Sequence, residues 1–191
     1  MASVKTVYNI IHSTKDPVAI SVVDKKINLF RDPLTMNITS DAIKSIKDFE
    51  KLKLKVYKLG DDKLTVGWGH AEDIDKTKLK KGQEIDIETA KKFFKEDISN
   101  AEAGVKRMFD QWRQKGIDRK ITQDQYNALV SMAFNMGITS FRECGFIQHI
   151  KHGDYKKAGE MITKTRISSK YPGLEKRREK ESKMFLSYLG F

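Results

Sequence analysis

Between residues 40 and 70 the apolar positions change period, and with it the expected structure changes. Ser40 is placed to cap a helix from Asp41 to about Lys51, whose positions Ala42, Ile43, Ile46 and Phe49 make one buried stripe with Glu50 beside it near the helix end. Strict alternation follows: Leu52, Leu54 and Val56 interleave with lysines, and Leu64, Val66 and Trp68 interleave with Thr65, Gly67 and Gly69. With the turn signal Gly60-Asp61-Asp62-Lys63 between them, the two runs predict a β-hairpin that brings polar groups to face Glu50. Period 2 puts Thr65 on the opposite face from Leu64 and Val66.

Helical spacing then returns and persists. Asp86 can cap a long run through Ile87, Ala90, Phe93, Phe94, Ile98, Ala101, Val105, Met108, Phe109 and Trp112 to Gly116, with Gly104 as a point of bending. Thr122-Gln123-Asp124-Gln125 has the form of a capping box and opens a largely apolar helix that Gly137 stops. Ser140-Phe141-Arg142-Glu143 reads as a second capping box for a short helix to Gly153, and Asp154 can cap the next, built on Tyr155, Ala158, Met161 and Ile162. A Ser168 to Gly173 loop leads to a last helix with Leu174, Met184, Phe185, Tyr188 and Leu189 inward. Residues 1–40 hold short β-leaning runs between Asp16-Pro17 and Asp32-Pro33, so they read as an extension carrying a hairpin, which either packs on the main domain or docks on another protein. The order predicts an α+β fold, mainly α: a small helix-and-hairpin lobe joined by a long helix to an all-helical lobe, with a cleft between them.

With 191 residues the chain has room for one main core, here assigned to residues 41–191. A net charge of +11 favours a polyanionic target. A solvated, lysine-rich surface would give the same balance, but no zinc spacing, RNP-like signature or basic zipper points to nucleic acid. One cysteine, Cys144, allows no internal disulfide and no zinc cluster by itself. No stretch has the length to span a bilayer, and the N-terminus lacks the organisation of a signal peptide.

The run from Glu50 to His70 resembles the active-site region of the phage-type lysozymes, glycoside hydrolase family 24. That family places a Glu, eight residues, an Asp, five residues, a Thr, then a G-x-G-H turn. Glu50, Thr65 and Gly67-Trp68-Gly69-His70 fall on those places, whereas Leu59 occupies that of the Asp and Asp61 and Asp62 are the nearest carboxylates. Segments 123–137, 141–162 and 172–186 resemble the family in order and spacing, so the likeness covers about residues 41–190.

The resemblance implies catalytic roles for Glu50 and Thr65; its Asp falls on Leu59, so Asp61 is taken as the candidate third member, failing which the protein works poorly. Glycosidic cleavage needs an acid and a second group that attacks or activates water. Glu50, expected to be partly desolvated against Phe49 and the sheet, is the acid, and Thr65 holds the water. Asp61, with Asp62 as alternative, would serve as the second carboxylate, although both also suit a plain turn. His70 would buttress the site, and Asn135 would either reach the sugar amide or cap its own helix. Arg177 and Arg178 match the family arginine pair and are expected to join the Glu50 lobe to the last helix, a solvated face remaining the alternative for one of them.

The implied function is a peptidoglycan hydrolase, a muramidase cutting between N-acetylmuramic acid and N-acetylglucosamine, needing no metal or cofactor and crossing no membrane. It is expected as a monomer, stored in the host bacterial cytoplasm before release to the wall, or carried in a virion through a partner bound by residues 1–40. The alternative is a catalytically weak lysozyme-fold protein that binds glycan; a transglycosylase using Glu50 alone is a third reading.

Overall fold

Thr39 rather than Ser40 starts the first helix. Its hydroxyl accepts from the Ala42 N–H, so the helix α1 runs Ser40–Glu50, a cap that contributes about 1 kcal/mol. The computed structural model describes residues 29–58, 63–74, 78–166 and 173–189. Most of the expected N-terminal hairpin, Leu59, Asp61, Asp62 and nearly all of the Ser168 to Gly173 loop lie outside the described residues.

After α1 come the strands β1 (Lys53–Lys58), β2 (Lys63–Gly67) and β3 (His70–Asp73), an antiparallel sheet in the order β1-β2-β3. The expected hairpin thus gains a third strand. Gly67 (φ +68) and Gly69 (φ +87) take left-handed backbone that side chains resist, which ends β2 before Trp68 and turns the chain into β3. Burial also departs from simple alternation: in β2, Leu64, Thr65, Val66 and Gly67 are all buried, whereas Leu52 and Leu54 remain largely exposed. One face of β2 packs with Val56, Leu79, Ile85 and Phe93, and Gly67 packs against Ala90.

The helix α2 (Ile87–Gln114) is capped by Asp86, whose carboxylate accepts from the Thr89 N–H at 2.6 Å. Its 28 residues span roughly 42 Å and join the two lobes. The helix runs unbroken through Gly104, where a Cβ would fall 2.0 Å from Ile138 Cδ1, so glycine admits a close neighbour.

In the helical lobe follow α3 (Gln123–Met136), α4 (Ile138–Arg142), α5 (Gly145–Lys151), α6 (Tyr155–Ile162) and α7 (Gly173–Leu186). The Thr122/Gln125 capping box forms in both directions and Asp154 caps α6. Ser140 opens nothing: it lies inside α4, which starts at Gly137 without a side-chain cap, and α5 starts at Cys144, also uncapped. The main core gathers Val105, Met108, Tyr126, Leu129, Phe141, Phe146, Ile150 and Phe185. A second cluster of Ile46, Phe94 and Ile98 fastens α1 to α2, with Trp68 and Phe134 packed against it. Residues 31–36 lie on the helical lobe, where Arg31 pairs its backbone with Ile121 and Met36 enters the core.

Candidate active site

Glu50 is the last residue of α1 because Lys51 leaves helical geometry at φ +53 while its N–H still bonds Lys47 O. The chain then turns into β1, and the Glu50 side chain, 19% exposed, is met from three sides. From α7, Arg177 Nη1 donates to Glu50 Oε1 at 2.5 Å. From the β2–β3 turn, Gly69 comes so near that a Cβ would lie 3.1 Å from Glu50 Oε2. From β1, Tyr57 feels the carboxylate: burial pushes the phenol pKa up and the Glu50 charge adds to the rise. Glu50 thus has, beside the apolar surface expected around it, the cationic partner that the arginine pair of the last helix was expected to bring.

Thr65 pairs with Tyr57 on one side and Ala71 on the other. Directly opposed residues share a sheet face, so Tyr57 and Ala71 locate the Thr65 side chain. Ala71 lines a cleft of about 380 Å³, together with Lys63, Gly69, Asp97, Asn135 and Gly137. Thr65 is 1% exposed, yet its hydroxyl has no hydrogen-bond partner among the described residues. A buried hydroxyl costs about 1–3 kcal/mol unless a water meets it, and Gln125 Nε2 is in the same position among the described residues, so what sets Thr65 apart is its place on the face shared with Tyr57 and Ala71.

His70 begins β3 and stacks on Phe93 of α2, ring centroids 4.2 Å apart. Its Nδ1 lies 3.0 Å from Asp97 Oδ2 and its Nε2 3.1 Å from Glu72 Oε1. Burial of the ring disfavours the imidazolium, but bonds to Asp97 and Glu72, with their charges, outweigh it and raise the His70 pKa. The histidine ties the sheet to the long helix.

Asn135, near the end of α3, lines the cleft, and its Oδ1 accepts from Arg178 Nη2 at 2.6 Å. Gly137 ends its helix, so the side chain is not spent on a cap. Arg177 and Arg178 are both buried, at 3% and 1% exposure, which removes the solvated-face alternative. The structure therefore brings Glu50, Thr65, Asn135 and Arg177 around one region; His70, opposite Val66 and stacked on Phe93, lies on the other face of the sheet and meets the cleft through Asp97, while Asp61 lies outside the described residues. Asp97, Tyr57 and Glu181, which bonds Arg177 and Arg178, are participants that sequence reasoning missed. Only Glu181 carried a usable signal, its three- and four-residue spacing from the two arginines.

Chemically the region offers the Glu50 carboxyl held by Arg177, the Asp97 carboxyl on the cleft wall, the Thr65 hydroxyl and a cleft of about 380 Å³. Among the described residues no group of three His, Cys, Asp or Glu is placed to hold a metal ion, and no helix is long and apolar enough to cross a membrane.

Residues 47–181 match the Phage lysozyme family. The chain is 33% identical over 157 residues to an endolysin of Bacillus phage B103, covering 80% of this chain and 55% of that protein, so it spans about half the length of that relative. It is 32% identical over 158 residues to an endolysin of Acyrthosiphon pisum secondary endosymbiont phage 1, covering 80% of this chain and 99% of that one. Among solved structures, an endolysin from Escherichia coli O157:H7 phage FAHEc1 superposes with a TM-score of 0.63 at 28% identity, over 80% of this chain and 94% of the other. With Glu50, Thr65 and the Gly67 to His70 turn inside the matched region, the chain belongs to the phage lysozyme family of glycoside hydrolases.

Proposed function

We propose that this chain is a muramidase that hydrolyses the β-1,4 bond between N-acetylmuramic acid and N-acetylglucosamine in bacterial peptidoglycan, with Glu50 as general acid. Glu50 protonates the leaving oxygen, and the Thr65 hydroxyl holds the water that attacks from the other side of the sugar. Asp61, two positions beyond Leu59 in sequence, supplies the second carboxylate. His70 and Asn135 support the substrate region.

The observation that carries this reading is the unpaired, buried Thr65 hydroxyl on the face of β2 that leads by Tyr57 to Glu50. A hydroxyl can donate to and accept from one water, which is what positioning a nucleophile requires. The protein acts as a monomer on the cell wall after release from the host cytoplasm. Carriage in a virion, with residues 1–40 on a partner, is the other use to which the same chemistry could be put.

Clearing of a peptidoglycan suspension tests the assignment. The unmutated protein is expected to clear it with release of reducing ends, and Glu50→Gln to lose at least about a thousandfold in rate. Binding without clearing by the unmutated protein would leave the glycan-binding alternative, and anhydro-sugar ends would make it a transglycosylase.

A further inference from the structure

Two arginines and one glutamate lie buried one behind another beneath Glu50. Glu181 is 1% exposed and uses both carboxylate oxygens: Oε1 accepts from Arg177 Nε at 3.1 Å and from Ser131 Oγ at 2.7 Å, and Oε2 accepts from Arg178 Nη1. Arg177 gives its other edge to Glu50 and to Ser131 O. Arg178 gives its remaining donors to Asn135 Oδ1 and Thr165 O.

From this geometry we infer that Glu181 sets the charge Glu50 meets, acting through Arg177 as a positioning residue for the glycosidase reaction. The inference rests on Glu50 being the general acid. Two guanidiniums against one carboxylate leave a single positive charge facing Glu50, enough to hold its carboxylate in place yet not two charges that would resist its protonation. Among the described residues the other groups near the cluster are Tyr57 of β1, the Cys144 thiol beside Arg178 with Arg166 and Glu143 near it, Lys180, which shares the Phe49 ring with Arg177, and the neutral Ser131 and Asn135 of α3. Neither the phenol nor the thiol supplies a second negative charge in the active range, since burial raises both pKa values, and the Arg166 and Glu143 charges offset one another. Glu181 also fixes Arg177 by its Nε, so the guanidinium presents Nη1 to Glu50 in one orientation.

The test is the pH dependence of peptidoglycan clearing, with folding followed by near-ultraviolet circular dichroism. Glu181→Gln keeps the shape and removes the charge, so the alkaline limb, where the acid is lost, is expected to move down by roughly one pH unit. Glu181→Asp keeps the charge and should leave the limb in place while lowering the rate. Arg178→Met removes a positive charge and should move the limb up. A limb that stays put in whichever charge-changing variant folds overturns the inference, since a purely structural role would lower the rate at all pH values alike. Should neither fold, the carbon-13 shift of the Glu181 carboxyl in the unmutated protein decides: constancy across the active pH range supports the inference and a titration within it sinks it. Glu50→Gln run alongside separates the two readings, because full activity in that variant removes Glu50 as acid whatever Glu181 does.

Discussion

Gly69 sits tightly against Glu50: a Cβ would fall 3.1 Å from Oε2 and 3.6 Å from Cδ, so the carboxylate would have to give by a few tenths of an ångström. The glycine also stands at φ +87. Gly69→Ala therefore meets two costs, a left-handed backbone of about 1 kcal/mol and a contact that only the carboxylate can relieve by moving. Clearing activity is expected to fall more than tenfold while the melting temperature drops only a few degrees, because small displacements of a reacting group cost more than they do in stability. Activity falling only in step with stability would mean that the Glu50 position is not set from this side.

His70 gives a pH signature. Its pKa is raised by Asp97 and Glu72 against the opposing effect of burial. A raised folded-state pKa means that the imidazolium stabilises fully below the unfolded value, about 6.5, and that this contribution is lost as pH rises through the higher folded value. Melting temperatures measured from pH 5.5 to 9 should decline through that window, and His70→Gln should remove the step. Persistence of the step in the variant would assign it elsewhere.

How far the sequence could be read follows from what each signal measures. The switch of period at residue 51 and the long run to Trp112 report burial of one face, and those elements formed where expected. β2 is buried on both faces, so alternation along it could not tell Thr65 from an exposed strand threonine; the family spacing did. The family likeness places the arginine pair, but not the burial of both arginines or their Glu181 partner. α7 reads as a charged surface helix until its polar side chains are seen to be satisfied by Glu50, Ser131 and one another, a pairing between residues far apart in the chain. Gly104 is ambiguous because absence of a side chain signals equally a bend or a close approach, and the close approach of Ile138 is what the structure shows.

That close approach can be measured. In Gly104→Ala the new methyl would sit 2.0 Å from Ile138 Cδ1 and 2.3 Å from Cγ1, the longer branch of a side chain on the short helix α4. Alanine gains up to about 1 kcal/mol of helix propensity, but overpacking typically costs about 1–3 kcal/mol, and at this distance the Ile138 side chain or α4 must shift. Net destabilisation is expected in denaturant unfolding. Combining it with Ile138→Ala should restore part of the loss, giving a coupling of about 1 kcal/mol; strict additivity would show that the two helices adjust freely.

Thr65 offers the sharpest separation of stability from function. Its hydroxyl is buried and unpaired among the described residues, so Thr65→Val replaces a polar group that costs the fold by a methyl of nearly the same size. Cross-strand neighbours Tyr57 and Ala71 need no rearrangement, and a β-branched residue suits the strand. Stability is expected to hold or rise by about 1–2 kcal/mol in denaturant unfolding. Clearing of peptidoglycan should fall by about two orders of magnitude or more, since the water would lose the group that orients it. A variant both more stable and inactive identifies the hydroxyl as kept for catalysis against the interest of the fold; one that loses stability shows instead that the hydroxyl serves the packing of the sheet.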